Sequence, residues 1–283
     1  MGIDRRDWLK AMSGAAAVVA LPGRAAASEP AVLADDVAYG LLYDTTLCIG
    51  CQACVVACRE ANGDRKDGPH ATAQNLDSET RNIIYAARDE AGGFLSYMKR
   101  QCMHCAEPAC ASACMFGGLK KDEHGRVWWN GDLCVGCRYC QIACPFGVPR
   151  FEWDSANPEI VKCELCRHRD EGPACAEVCP RGAVITGTRA ELLQEARRRL
   201  ADHPERYVPR IYGETDAGGT QCLYLSHVPF EELGLPAVGD RPLPDYTEQV
   251  HGLIWKGAVI PSALYAVLGL AVFRNNRTHG EDA

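Results

Sequence analysis

The sequence predicts an α+β fold made of repeated cysteine-centred units, followed by one apolar helix near the C-terminus. Three observations predict it. Sixteen of the seventeen cysteines fall into four runs of four between Cys48 and Cys179. Hairpin-like segments such as Gly125-Arg126-Val127-Trp128-Trp129-Asn130-Gly131 separate some of these runs. A stretch without charge, Gly257 to Phe273, lies near the end of the chain. A motif repeated four times makes the repeat itself the architecture.

The 283 residues, 47% of them hydrophobic, suffice for one large or two modest packed domains. The net charge of -7 lacks the basic footprint of a nucleic-acid-binding protein, so no nucleic-acid partner is expected. Without its first 27 residues the chain carries 26 basic and 35 acidic side chains, and the body is acidic.

Residues 1–27 read as an export signal. Asp4-Arg5-Arg6-Asp7-Trp8-Leu9-Lys10 is a basic opening, Ala11 to Leu21 is apolar, and Ala25-Ala26-Ala27 before Ser28 is a small-residue cleavage site. The paired arginines resemble a twin-arginine signal, a route for cargo that is already folded; an ordinary secretory signal is the alternative.

Residues 28–187 should form the cysteine-bearing domain, with a polar, glycine-containing insertion loop near residues 62–90. The first run is Cys48, Cys51, Cys54 and Cys58, and the third is Cys134, Cys137, Cys140 and Cys144. Both have two, two and three residues between cysteines, the bacterial ferredoxin spacing. The second run, Cys102, Cys105, Cys110 and Cys114, and the fourth, Cys163, Cys166, Cys175 and Cys179, keep the flanking gaps but lengthen the middle one. Three closely spaced sulfurs let one tight loop bend round three corners of a 4Fe-4S cubane. The trailing cysteine points to a different cluster, so runs exchange ligands in pairs. Gly50 and Gly136 let backbone N–H groups approach the sulfurs. The expected fold is therefore a tandem of bacterial-ferredoxin-like domains with four 4Fe-4S clusters on these sixteen cysteines.

Disulfides suit an exported protein, but neighbouring C-x2-C pairs cross-link little distant chain. Zinc also uses such pairs, yet seldom a third cysteine so close behind. Cys222 lies outside the runs and reads as a buried structural thiol. His104 and His168 read as hydrogen-bonding or surface groups, and Tyr139, Trp128 and Trp129 as packing against the clusters.

Residues 188–251 should be a helix and then a tether. Thr188 with Glu191 makes a capping box, and Leu192, Leu193, Ala196 and Leu200 recur at helical spacing, predicting an amphipathic helix over 189–201. The proline- and glycine-rich segment from Asp202 to His251 reads as an extended, loop-rich tether. Residues 252–274 should be a transmembrane anchor, with Trp255 and Lys256 at one interface and Arg274 and Arg277 beyond the other. Residues 275–283 would then be a cytoplasmic tail.

With Gln101-Cys102-Met103-His104-Cys105, Lys162-Cys163-Glu164-Leu165-Cys166, Gly187-Thr188-Arg189 and Val228-Pro229 added to the four runs and both ends, the chain resembles the HybA-type iron-sulfur subunits of membrane-bound nickel-iron hydrogenase-2. The cysteine runs alone are shared with formate dehydrogenase and DMSO reductase iron-sulfur subunits. Met115 after Cys114 departs from the usual proline. The resemblance implies that the first run pairs with the fourth and the second with the third. The ligand sets would be Cys48, Cys51, Cys54 with Cys179; Cys163, Cys166, Cys175 with Cys58; Cys102, Cys105, Cys110 with Cys144; and Cys134, Cys137, Cys140 with Cys114. It implies an electron-carrying subunit on the periplasmic face of the inner membrane. Its partners would be the small and large subunits of a nickel-iron hydrogenase and a multi-span quinone-interacting membrane subunit. No nucleophile, flavin fingerprint or nucleotide loop is present, so no catalytic residues are expected. The rival reading replaces hydrogenase with a molybdopterin enzyme, such as formate dehydrogenase or a sulfur-compound reductase. A zinc-stapled scaffold is the third.

Overall fold

The computed structural model describes residues 33–64, 75–155, 158–245, 257 and 261–274. The expected signal, residues 1–27, and the tail, residues 275–283, lie outside the described residues.

A three-stranded sheet organises the body. Strand β1 (Tyr39–Asp44) lies at its centre, antiparallel to β8 (Val184–Thr188) and parallel to β9 (Cys222–Leu225). The parallel pairing demands Gly40, because a Cβ there would stand 1.9 Å from the Gln221 carbonyl oxygen. Helix α5 (Arg189–Asp202) packs on this sheet and closes a core of Leu42, Leu192, Leu193, Ala196, Leu223 and Leu225. Its start is the predicted capping box: Glu191 N–H donates to Thr188 Oγ1 at 3.3 Å, and Thr188 N–H donates to the Glu191 carboxylate at 2.9 Å. Asp44 joins strand to helix, accepting from Arg199 at 2.9 Å and from Tyr207 at 2.8 Å.

Three small hairpins stand around the cysteine runs. Strands β2 (Ile83–Arg88) and β3 (Phe94–Arg100) pair antiparallel, as do β4 (Leu119–Lys121) and β5 (Val127–Trp129), and β6 (Arg150–Phe151) and β7 (Ile160–Val161). Short helices α1 (Ala53–Asn62), α2 (Ala109–Ser112), α3 (Tyr139–Ala143) and α4 (Ala174–Glu177) carry cysteines and are treated below.

Two expectations are corrected. The loop near residues 62–90 ends in a strand: Ile83 and Ile84 are buried against the main core, while residues 65–74 lie outside the described residues. The tether after Asp202 is largely part of the body. Tyr207, Ile211, Tyr212, Phe230 and Leu233 are buried, and Cys222–Leu225 completes the sheet. Prolines and glycines there set turns between core contacts, as at Gly213, whose φ is 93° and whose Cβ would meet the Cys222 carbonyl oxygen at 2.6 Å. Of the expected anchor, residues 261–274 are helical and exposed. Among the described residues no helix is long and apolar enough to cross a membrane, and most of 252–260 lies outside them.

Candidate metal centres

The four runs adopt one local motif. In each, the residue just before the second cysteine takes a left-handed backbone: Gly50 (φ 68°), His104 (φ 49°), Gly136 (φ 70°) and Leu165 (φ 52°). The reversal curls the flanking cysteines round a common point. Glycine meets it freely, whereas His104 and Leu165 are held there by burial. The third cysteine then enters a helix: Cys54 in α1, Cys110 in α2, Cys140 in α3 and Cys175 in α4. After the fourth cysteine the chain turns again. The amides of Gly117, Gly147 and Gly182 donate to the Cys114, Cys144 and Cys179 carbonyls at 3.1, 3.1 and 3.2 Å. The first run differs, because α1 continues through Cys58 to Asn62, whose side chain donates to the Cys58 carbonyl at 2.7 Å.

The runs meet in pairs, α1 packing on α4 and α2 on α3. One hollow is lined by Cys48, Cys51, Cys54 and Cys179, and another by Cys134, Cys137, Cys140 and Cys114. The other eight sulfurs form two more groups, visible in their mutual electrostatics. Burial, followed by the charges of Cys175 and Cys166, pushes the Cys58 thiol up to about 12, against a counteracting Lys99. Burial and then Cys58 and Cys175 raise Cys163 well above the usual thiol range. Burial and then Cys102, Cys110 and Cys144 do the same to Cys105. Cys140 is pushed up to about 11, by burial and then by Cys114, Cys134 and Cys137.

This donor set fits iron-sulfur cubanes. It is all thiol, grouped in fours, and each four contains at least one thiol, Cys48, Cys163, Cys105 or Cys140, that burial and neighbouring sulfurs push up and that a positive body would draw down. Peptide donors already face sulfur: Gly118 N–H to Cys114 Sγ at 3.1 Å and Leu165 N–H to Cys163 Sγ at 3.4 Å.

Exposure divides the groups. Cys51 and Cys137 reach the surface, whereas Cys58, Cys163, Cys166 and Cys175 are buried, as are Cys102 and Cys110. Apolar side chains ring both exposed sites: Ile49 and Val56 beside the first run, and Phe116, Val135, Tyr139 and Ile142 beside the third. Tyr139 was expected as packing and is instead 53% exposed. Trp129 lines the third-run hollow, and Trp128 lies under the Arg167 guanidinium at 4.2 Å.

His104 is fully buried and its Nδ1 accepts from the Val127 N–H at 2.9 Å. Burial, then the Lys162 and Arg126 charges, hold its pKa well below the usual range. His168 is exposed and pairs with the Ala61 carbonyl at 2.8 Å. Cys222 is buried; its Sγ accepts from Gln101 at 3.4 Å and donates to the Cys102 carbonyl at 3.2 Å.

Sequence reasoning missed two buried lysines. Lys162 donates from Nζ to the Val127 and Cys163 carbonyls. Lys99, on β3, is wholly buried and has no acceptor among the described residues. Burial alone would strip its proton, but the charges of Cys175, Cys54, Cys58 and Cys163 outweigh burial and raise its pKa. Only its place in a strand beside Tyr97 and Met98 could have signalled an inward-facing charge.

Residues 94–189 match the family of 4Fe-4S dicluster domains. The chain is 38% identical over 324 aligned positions to the hydrogenase-2 operon protein HybA of Escherichia coli O157:H7, covering 99% of this chain and 98% of that protein. It is 34% identical to the nitrate-inducible formate dehydrogenase iron-sulfur subunit of Escherichia coli K12, covering 78% of each chain. It is also 34% identical to the formate dehydrogenase iron-sulfur subunit of Haemophilus influenzae, over 82% of this chain and 77% of that one. A matched 4Fe-4S dicluster domain, with near end-to-end likeness to one relative, settles the family: the chain belongs with HybA among the ferredoxin-like iron-sulfur electron-transfer subunits.

Proposed function

We propose that the chain carries electrons through four 4Fe-4S clusters, between a periplasmic nickel-iron hydrogenase and a multi-span quinone-reactive subunit of the inner membrane. The observation that carries this reading is that two of the four cysteine groups each bring one sulfur to the surface, at Cys51 and Cys137, while the other two expose none. The groups form a sequence. Cys54 and Cys58 lie one turn apart on α1, tying the Cys48 group to the Cys163 group. Cys110, within α2, and Cys114, two residues past its end, tie the Cys102 group to the Cys134 group. Cys222, whose thiol feels both Cys102 and Cys175, stands between the two buried groups. A route with exposed ends at Cys51 and Cys137, each in an apolar collar, suits a carrier with a partner at either end.

When bound, the clusters supply one-electron storage at four points. The protein's own part is to keep water from the inner groups, to aim peptide N–H donors at sulfur and to place each trailing cysteine across a helix pair. The hydrogenase assignment rests on the two-sided likeness to HybA. The formate dehydrogenase reading keeps the same wire and is favoured by the 34% identity to those subunits. For the membrane, the support is the exposed helix at 261–274, with Leu264, Val267, Leu268, Leu270 and Val272 all open to the surroundings. We assign residues 252–274 as an anchor that holds the body on the periplasmic side after a twin-arginine signal, residues 1–27, has been removed.

The test is purification from detergent-solubilised membranes with metal analysis. Nickel together with about sixteen irons for this chain, beyond those of its partners, is the expected result. Molybdenum or tungsten in place of nickel would move the carrier to the formate dehydrogenase class, and stoichiometric zinc without iron would refute the wire.

A further inference from the structure

Lys99 stands apart from the other buried charges. Asp44, equally buried, accepts from Arg199, Tyr207 and Thr46. Lys162 has two carbonyl acceptors. Lys99 has none among the described residues, although an unpaired ammonium is among the costliest groups a protein interior can hold. Such a charge calls for an anion that these side chains alone do not provide.

Its position names the anion. On β3, Lys99 lies opposite Ile84 and on the same face as Tyr97. The Tyr97 ring lies against Gly50 in the loop of the first run. Gln52 donates to the Ile84 carbonyl at 2.9 Å and Asn82 to the Cys54 carbonyl at 3.5 Å, which fasten the β2–β3 hairpin onto that loop and onto α1. The sulfurs whose charge weighs most on the ammonium come from two groups: Cys54 from one, and Cys58, Cys163 and Cys175 from the other.

We propose that Lys99 is a cation shared by two neighbouring clusters, those on Cys48, Cys51, Cys54, Cys179 and on Cys163, Cys166, Cys175, Cys58, and that it raises both of their reduction potentials. The proposal rests on the four-cluster reading above and adds a potential-setting residue to it. Every electron taken up adds negative charge. A fixed ammonium in a low-dielectric interior stabilises the reduced state more than the oxidised one. A shared cation also makes the two sites a matched pair, while no sulfur of the Cys102 or Cys134 groups is among the charges that weigh most on it.

The experiment compares the wild-type complex with Lys99→Met, which keeps the stem and removes the charge, and with Lys99→Arg, which keeps the charge. Iron content and redox titration followed by electron paramagnetic resonance are read on each. With iron retained, two of the four midpoints should fall in Lys99→Met, two should stay, and all four should stay near wild type in Lys99→Arg. Full iron with four unmoved midpoints, or with four equal shifts, overturns the proposal. If Lys99→Met loses iron, a loss confined to about half of it, with full iron in Lys99→Arg, supports the shared cation. Equal depletion of both variants overturns it. A wild-type chain without four clusters would instead refute the four-cluster reading itself.

Discussion

The junction of β1 with α5 predicts the stability of the body. Asp44 is wholly buried and accepts from Arg199 at 2.9 Å, Tyr207 Oη at 2.8 Å, Thr46 Oγ1 at 2.7 Å and Thr46 N–H at 3.0 Å. Asp44→Ala leaves the guanidinium and the phenol without that acceptor. Removing one partner of a buried ion pair costs about 3–5 kcal/mol. Arg199 keeps Glu195 at 2.8 Å and 15% of its side-chain exposure, so the lower end applies. For a chain of this size about 3 kcal/mol corresponds to a fall of about 6–12 °C in Tm. The assay is thermal unfolding of the purified full chain in detergent, followed by far-UV circular dichroism at matched scan rates. Arg199→Met should cost less, and the double variant should fall short of the sum of the two singles. A loss below about 2 °C for Asp44→Ala, or strict additivity, would refute the hub.

Three more outcomes are expected. Cys179→Ser should perturb the cluster signal that Cys51→Ser also perturbs; an effect on the Cys163 group alone would overturn the crossed pairing. Gly40→Ala, with its Cβ 1.9 Å from the Gln221 oxygen, should separate β1 from β9 and abolish soluble protein, and a wild-type yield would count against that pairing. Arg198, and then Arg199, hold the Glu195 carboxyl down at about 2. A depressed carboxylate stabilises the fold above its unfolded value, near 4.5, and loses that contribution as pH falls toward 2. The Tm gap between wild type and Glu195→Gln should therefore hold steady from neutral pH to about 4.5 and narrow below it; a gap that widens in acid would reverse the assignment.

What could be read from sequence was local. Thr188 and Glu191 announced α5 because a capping box is a contact between near neighbours, and Val127–Trp129 announced a strand by its turn residues. The spacing of each run implied a loop round three sulfurs, and the repeated left-handed residue at Gly50, His104, Gly136 and Leu165 is its backbone form. What was hidden was long-range. Strand β9, Cys-Leu-Tyr-Leu, is buried at all four positions, so it shows no alternation of polar and apolar residues. The prolines and glycines around it resemble linker until the sheet is seen. Lys99 was hidden for a related reason: a charge reads as surface unless the sulfurs brought to it by other segments are known.

The central sheet also shapes how the molecule is made. Its middle strand, β1, comes early in the body, and both of its neighbours, β8 and β9, come from the far side of all four cysteine runs. Contact order across this sheet is therefore high, and closing it is a late and slow event in folding. Until Leu225 has left the ribosome, the first run has no finished wall behind it. On the export reading proposed above, machinery that threads an extended chain through a membrane would divide the sheet, whereas iron loading before export would need the complete segment in one compartment. Assembly of this carrier is thus a whole-chain event, and a truncation before β9 should fail at maturation even though it removes none of the sixteen run cysteines.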